Sequence, residues 1–200
     1  YVMLRDVGKA LGFNVCWDSD AKCVQVESKK PYTGEAPVTS AEAKPVEQPA
    51  QTDVAAAKQD IIDRTNALRH QKGVAALRVN DKLMQAAQVR ADEMAASGVY
   101  SHTRPDGRKY TTVTDCKYIG ENIHLIGEWQ IRDSSLPSFA VEAWKNSAAH
   151  LKNMLNTRYH EIGVGVSQGT VMGEPYWYCV QLFLLDGYNV TWVDAPAAKG

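Results

Sequence analysis

Three stretches of the chain place apolar residues at intervals of three and four, the period of an α-helix with one buried face. The first, "DIIDRTNALRHQKG", is followed by a stop at Gly73, and the second lies between Asn80, which can cap its start, and Gly98, which can end it. The third, "SFAVEAWKNSAAHLKNML", is predicted as a single helix. The predicted apolar faces consist, in order, of Ile61, Thr65 and Leu68; Leu83, Ala87, Ala91 and Met94; and Val141, Trp144, Ala148 and Leu151.

Two segments in the last quarter of the chain have the composition of β-strands. "EIGVGVSQ" and "PYWYCVQLFL" are joined by a glycine-containing loop, and the second is rich in tyrosine, valine and leucine. The segment between the second and third helices is predicted to be mostly loop. Because helices come first and strands last, the pattern predicts an α+β fold built in layers.

The first 33 residues have a separate short pattern. A helical stretch ends at Gly12, and "NVCW" and "CVQVE" then alternate as two strands. A two-residue turn at Ser19 and Asp20 would form a β-hairpin with Cys16 opposite Cys23. This stretch resembles the C-terminal part of a copper amine oxidase N-terminal-like domain, which implies a small partial α+β module. The matching residues are Tyr1, Leu4, Arg5, Leu11, Gly12 and Trp17.

A polar segment separates this module from the rest of the chain. Residues 34–53 include three prolines and four acidic residues but no aromatic residue, leucine or isoleucine. Such a composition cannot bury enough apolar area to offset the entropy lost on ordering, so it predicts an extended linker. The predicted organisation is therefore a module at 1–33, a linker at 34–53, a main domain at 54–190 and a tail at 191–200.

The charge of the chain excludes several classes of partner. Its 22 lysine and arginine residues nearly balance its 23 aspartate and glutamate residues, so no strong positive field would attract nucleic acid. No stretch reaches the roughly 18 to 20 consecutive apolar residues of a transmembrane helix, and residues 1–20 carry charges where a signal peptide would be apolar. We therefore expect a soluble protein without a nucleic-acid partner.

The four cysteines predict two disulfide bonds. Cys16 and Cys23 face each other in the predicted hairpin, and Cys116 and Cys179 lack the Cys-x-x-Cys spacing of zinc ribbons and thioredoxin-like sites. The alternative is that the cysteines are free buried thiols. Pairing as Cys16–Cys23 and Cys116–Cys179 implies an oxidising compartment and therefore a secreted protein.

Histidines are the main candidates for chemistry. None lies in a motif with a built-in mechanism, because the chain contains no His-Glu-x-x-His, Gly-x-Ser-x-Gly, Walker or dinucleotide-binding motif. Taken singly, each is more typical of a surface residue or a hydrogen-bonded core residue. Local spacing therefore identifies no enzyme. The five residues are His70, His102, His124, His150 and His160.

Five short blocks occur in order between Ile61 and Leu184, among them "SHTRPDG", "GENI", "AWKNSAAHLKNML" and "EIGVG". Together they resemble the CAP superfamily of cysteine-rich secretory, antigen 5 and pathogenesis-related-1 proteins, in its bacterial SCP-like form. The matching residues are Asn66 and Arg69, Ser101 to Gly107, Gly120 to Ile123, Trp144, Ser147, His150, Asn153, Met154 and Leu155, and Glu161 to Gly165.

The resemblance implies a CAP-type α-β-α sandwich with a surface cleft in which two histidines meet a glutamate. His102, Glu121 and His150 occupy the matching positions, and Ser147 lies in the cleft where animal and plant members carry a second glutamate. Two imidazoles and a carboxylate suit zinc or another divalent metal, with coordination positions left for water or a ligand. Ala149 replaces the glycine that usually precedes the second histidine, so the family's site is incomplete here.

Two functions are compatible with these residues. The first is a secreted or cell-surface binding module whose cleft recognises a small lipid, a peptide or a cell-envelope component. The second is a metal-dependent hydrolase in which a water is activated at His102, Glu121 and His150, with Glu121 as the base. A serine hydrolase based on Ser101 or Ser147 lacks an orienting carboxylate and a nucleophile turn. The sequence favours binding and leaves catalysis open.

Overall fold

The computed structural model describes residues 53–132 and 134–197, together with the backbone of two strands at 14–18 and 23–27. The chain divides into two compact units, residues 1–48 and 49–200. The predicted linker, apart from Asp53, lies outside the described residues.

The first unit contains an antiparallel β-hairpin made of β1 (Asn14–Asp18) and β2 (Cys23–Glu27). Its register pairs Cys16 with Gln25, so the prediction that Cys16 lies directly opposite Cys23 is wrong. Cys23 pairs with Asp18 instead, so the register differs from the predicted one by two residues. The Cys16–Cys23 disulfide remains a prediction, because the side chains of this hairpin and the other features predicted for residues 1–33 lie outside the described part.

The second unit combines helices and strands. Its helices are α1 (Val54–Gln71), α2 (Asp81–Ser97), α3 (Leu136–Lys145) and α4 (Ala148–Met154), with 3-10 helices at Tyr110–Val113 and Glu128–Ile131. Its strands are β3 (Arg78–Val79), β4 (Ile119–Gly127), β5 (Tyr159–Val171) and β6 (Glu174–Leu185). Asp53 and Asn80 cap α1 and α2 by accepting hydrogen bonds from N–H groups of the first turn. No helix in the described part of the chain is long and apolar enough to cross a membrane.

The strands of the second unit form one sheet between two helical layers. The strand order is β3-β5-β6-β4, with β3 parallel to β5 and the other neighbours antiparallel. Successive residues of β6 face opposite sides of the sheet, because Cys179 and Phe183 pack in one core while Tyr178 and Leu182 pack in the other. The first core includes residues of α1 and α3, and the second includes residues of α2. This arrangement confirms the predicted α+β class and α-β-α sandwich.

Two glycines of β5 let α2 lie directly against the sheet. A Cβ atom added to Gly163 would lie 2.1 Å from the backbone carbonyl carbon of Leu83, and one added to Gly165 would lie 2.0 Å from the backbone oxygen of Ala87. The obstructing atoms belong to helix backbone, so they cannot move aside as a flexible side chain would. The "EIGVG" block therefore sets the distance between α2 and β5.

The structure corrects two predictions for the middle of the chain. The stretch predicted as one third helix forms α3 and α4, because Ser147 is extended (φ −104°, ψ 119°) between them. Asn146 and Ser147 are weak helix formers, which makes this point the natural break, and Ala148 is exposed where an apolar face was predicted. The segment predicted as loop contains β4, an edge strand with mostly buried residues.

The predicted Cys116–Cys179 disulfide is wrong. Both cysteines are free and buried, and they belong to different cores. Cys116 packs on the α2 side of the sheet and Cys179 on the α1 side, so the sheet separates the two sulfur atoms. Burial raises the pKa of the Cys179 thiol to about 12, which keeps it protonated and unreactive at neutral pH.

The segment predicted as a C-terminal tail is attached to the main domain as far as residue 197. The N–H groups of Thr191 and Trp192 donate hydrogen bonds to the Asp115 carboxylate, and Val193 forms a β-bridge with Thr114. The domain therefore extends past the boundary predicted at residue 190.

Candidate functional site

His102 lies in a short loop that follows α2. A β-bridge between Thr103 and Lys109 closes this loop, and the N–H of Arg104 donates to the carbonyl of Arg108. Gly107 has φ 84°, the left-handed conformation that the Pro-Asp-Gly sequence predicts for a turn. The side chain of His102 is 52% exposed, so its ring is accessible to solvent.

Glu121 fixes the orientation of His102 from the buried side. Its Oε2 atom lies 2.6 Å from His102 Nδ1, and its Oε1 atom accepts a hydrogen bond of 2.9 Å from Arg90 Nε. A carboxylate paired with an arginine only accepts hydrogen bonds, so Nδ1 is the protonated nitrogen of the ring. The neutral imidazole of His102 therefore carries its free lone pair on Nε2.

The pair formed by His102 and Glu121 belongs to a larger set of buried charges. Glu93 Oε2 accepts 2.7 Å from Arg90, and Glu93 Oε1 accepts 2.9 and 2.6 Å hydrogen bonds from Arg104. The side chains of all four charged residues are fully buried. We call this set the ionic network; its members are Arg90, Glu93, Arg104 and Glu121.

His150 lies on α4 and is supported by neutral side chains. Asn122 Nδ2 donates to the backbone oxygen of His150 at 3.2 Å and to Gln181 at 3.1 Å. Asn153 donates to Asn122 Oδ1 at 2.9 Å, and Gln181 donates to Thr65 at 2.8 Å. We call this set the amide network; its members are Thr65, Asn122, Asn153 and Gln181.

The two imidazoles are close enough to affect each other's charge. Burial, and then the positive charge of His102, lower the pKa of His150. Glu121 and Asn122 are neighbours on β4, so their side chains leave opposite faces of the edge strand and reach the ionic and amide networks respectively. The structure thus links both histidines to the edge strand β4, His102 through Glu121 and the backbone of His150 through Asn122.

His124 is a third histidine of this region that the sequence did not distinguish. Its ring stacks on Phe139 with 6.2 Å between centroids. Burial, and then the charge of His150, lower the pKa of His124, so the neutral ring is favoured. No local motif surrounds His124. Because β4 was predicted as loop, the sequence also did not indicate that this side chain lies on a strand.

The remaining predicted site residues differ in how they are placed. Ser147 occupies the N-cap position of α4 and is half-buried, but its hydroxyl makes no capping hydrogen bond. Glu121 contacts His102 directly, whereas His150 is linked to the same strand through Asn122. Within residues 53–132 and 134–197, no three histidine, cysteine, aspartate or glutamate side chains are grouped to hold a metal ion.

A small cavity borders the His102 loop. Its volume is about 250 Å³, slightly below the roughly 300–1,000 Å³ of typical ligand pockets. The cavity is bordered by α2, the His102 loop and the turn after it. Its lining residues are Met94, Ser97, Val99, Ser101, Thr103, Arg104, Pro105 and Gly107.

The ionic network contains functional candidates that the sequence analysis missed. Arg90 and Glu93 continue the buried stripe of α2 that includes Leu83 and Ala87, and charged residues on a core-facing stripe are rare unless they are paired. That pattern was the available signal. Arg104 lies inside the "SHTRPDG" block, which was predicted only as part of the family match.

Sequence comparison identifies bacterial relatives of unassigned function. The chain is 29% identical over 151 residues to the uncharacterized protein YkwD of Bacillus subtilis (strain 168), covering 74% of this chain and 55% of the relative. It is 29% identical over 119 residues to the uncharacterized membrane protein YlbC of the same organism, covering 56% of this chain and 32% of the relative. The chain thus spans about half or less of each relative.

Solved structures with a related arrangement include an extracellular protein containing an SCP domain from Bacillus anthracis, with TM-score 0.49 and 22% identity over 66% of this chain and 41% of that one. A cysteine-rich secretory protein from Staphylococcus aureus gives TM-score 0.45 and 19% identity, covering 85% of this chain and 54% of that one. The family model for the cysteine-rich secretory protein family, CAP, matches residues 62–183, a segment that begins within α1, ends within β6 and contains both networks. The chain belongs to the CAP family.

Proposed function

We propose that this protein is a secreted or cell-surface binding module that holds a small ligand between His102 and His150. The ligand classes are a small lipid, a peptide or another cell-envelope component. The observation that supports the proposal is the contact between exposed His102 and fully buried Glu121, with 2.6 Å between Nδ1 and Oε2. An exposed imidazole held by a buried carboxylate is pre-organised to present one nitrogen to a ligand.

A divalent metal such as zinc fits these residues in one way. Metal-binding histidines usually donate their other ring N–H to a carboxylate, which is the relation between His102 and Glu121. Both oxygens of Glu121 are engaged, by His102 and Arg90, so Glu121 serves as an outer partner of the metal ligand. His102 and His150 would hold the ion, and its remaining positions would accept an anionic oxygen of the ligand.

The hydrolase alternative lacks its base in this geometry. A general base must reach the water that it deprotonates, either directly or through one further water. Glu121 is fully buried, and both its oxygens are committed to hydrogen bonds. Its role here is to orient His102, which is a requirement of binding and does not by itself supply catalysis.

The location outside the cell rests on the family to which the chain belongs. The family description is that of secretory proteins. Cys116 and Cys179 are free, so they give no support to an oxidising compartment. Secretion is therefore proposed from family membership, with the Cys16–Cys23 bond as its independent chemical test.

Two probes test the binding proposal on the whole chain, zinc alone and dodecyl phosphate, an amphiphile with an anionic head group. We expect each to shift the imidazole NMR signals of His102 and His150. Replacement of either histidine by alanine should weaken the zinc affinity, measured by calorimetry, about tenfold or more, a change of about 1.4 kcal/mol. His70→Ala is the matched control, because His70 is an exposed histidine on α1.

The outcomes separate the two parts of the proposal. If the imidazole signals shift with dodecyl phosphate but not with zinc, the metal part of the proposal is wrong and the ligand-binding part stands. If neither probe shifts His102 or His150, or if the His70→Ala protein loses as much affinity as the other two, the proposed binding function is wrong.

A further inference from the structure

We propose that the C-terminal segment Asp194–Ala197, here called the strap, positions His102 by holding Arg104 and Glu93. The proposal rests on the proposed function, because it concerns the histidine that would meet the ligand. It assigns Arg104, Glu93 and Asp194 as positioning residues of the site.

The strap binds directly to two buried ions. Asp194 Oδ2 accepts a 2.6 Å hydrogen bond from Arg104, and Arg104 also donates to the backbone oxygen of Ala195 at 2.8 Å. The N–H of Ala197 donates to Glu93 Oε1 at 2.7 Å. The strap thus binds the Arg104 guanidinium through the Asp194 carboxylate and binds the Glu93 carboxylate through a backbone N–H. Hydrogen bonds in which one partner is charged are stronger than neutral ones.

Arg104 connects the strap to the His102 loop through the chain itself. Arg104 is two residues after His102, and its fully buried guanidinium also donates to the backbone oxygen of Thr112, just beyond the loop. Every nitrogen of this guanidinium donates a hydrogen bond, so Arg104 anchors the backbone of the His102 loop to the buried ions. Loss of the Asp194 partner would leave a buried cationic donor without its acceptor.

A second connection runs through the ions. Glu93 holds Arg90, Arg90 holds Glu121, and Glu121 holds the Nδ1 atom of His102. Arg90 also donates to the backbone oxygen of Ser101, the residue before His102. Arg104 is therefore connected to His102 by two routes, one along the chain and one through the ionic network. The strap contacts the first route at Arg104 and the second at Glu93.

Asp194 is also one of two carboxylates that bind Arg104. It accepts from Arg108 at 2.7 Å as well as from Arg104, and Arg108 is itself paired with Asp106 at 2.6 Å. Removal of the Asp194 charge would leave the fully buried Arg104 with Glu93 as its remaining carboxylate partner, and a buried cation that loses a partner is costly.

Other contacts hold the same segment without touching the ionic network. Asp115 accepts hydrogen bonds from the N–H groups of Thr191 and Trp192, and the N–H of Asp194 donates to the backbone oxygen of Val113. A substitution at Asp115 therefore loosens the segment, while a substitution at Asp194 removes its contact with the ions. This separation provides a matched pair of variants.

The test compares Asp194→Asn with Asp115→Asn in the full chain at neutral pH. Long-range proton–nitrogen NMR spectra report which ring nitrogen of His102 carries the proton. We expect a dominant Nδ1–H form in the wild type and in Asp115→Asn. In Asp194→Asn the Nε2–H form should increase about threefold or more, and Asp194→Glu should restore the wild-type spectrum. A chain ending at Val193 should show the same change in larger measure.

The readout distinguishes positioning from simple stabilisation. If Asp194→Asn and the chain ending at Val193 leave the His102 tautomer unchanged, the strap does not position His102 and the proposal is wrong. Equal tautomer changes in Asp194→Asn and Asp115→Asn would also overturn it, because they would reflect general loosening. This measurement needs no ligand, so failure of the probes to bind would contradict the proposed function alone.

Discussion

The two faces of the sheet support the two histidines by different physical means. On the α2 face, His102 depends on four fully buried charges, and on the α1 face, His150 depends on neutral amide and hydroxyl groups. A buried charge that loses its partner keeps a large desolvation cost, whereas a neutral amide that loses one partner keeps a smaller cost. Loss of one hydrogen bond should therefore destabilise the protein more on the His102 side than on the His150 side.

The largest expected effect is on the ionic side. Arg104→Met removes a buried cation that binds both Glu93 and Asp194 and leaves the fully buried Glu93 with Arg90 as its remaining arginine partner, so we expect a loss of about 3–5 kcal/mol in the free energy of unfolding. Arg78→Met is the control, because Arg78 is 76% exposed in its pair with Glu161 and should cost about 0–1 kcal/mol. Urea unfolding measures both. A loss below about 1 kcal/mol for Arg104→Met would contradict the comparison.

The close contact of α2 with β5 gives the next effect. Gly165→Ala should destabilise by about 1–3 kcal/mol, because the new Cβ atom meets the backbone oxygen of Ala87 and α2 must move away. Gly169→Ala should cost less, since the nearest atom to its Cβ position, the Ala95 oxygen, is 2.8 Å away. Chemical denaturation of both proteins ranks them. The reverse order would show that α2 is not fixed at this distance.

On the amide side, Asn122→Ala removes the donor to His150 and leaves Gln181 Oε1 without it. The expected loss is about 1–3 kcal/mol, smaller than that of Arg104→Met because no charge is stranded. Gln59→Ala, which removes an exposed hydrogen bond to Asp63, should lie within about 0.5 kcal/mol of wild type. If Asn122→Ala were as damaging as Arg104→Met, the two faces would not differ as argued.

The smallest expected effect is a pH dependence carried by the α1 face. Because the pKa of His124 is lowered in the folded state, the unfolded chain binds protons more readily below about pH 6.5, and stability falls as pH falls. His124→Gln should reduce this slope by less than about 1.4 kcal/mol per pH unit, the limit for one proton. Unfolding free energies across that range provide the measurement. If the unfolding free energy depends on pH equally in both proteins, His124 does not contribute to the pH dependence.

Local sequence signals predicted the parts of the fold that depend on near neighbours. The start of α2 followed from the Asn80 cap and its end from Gly98, because a cap and a stop act on residues within one turn. The strand character of β5 and β6 followed from composition. The break at Ser147 and the strand β4 were missed, because both depend on how a short segment packs on elements remote from it.

The sequence by itself determined the helical and strand periods and the ordered blocks shared with the CAP family. Only the tertiary structure decided that Glu121 is an outer partner of His102, that Cys116 and Cys179 lie on opposite faces, and that residues 194–197 contact the ionic network. The physical reason is distance along the chain. A helical turn is encoded within four residues, whereas Arg104 meets Asp194 across 90 residues, and no local pattern specifies such a pairing of charges.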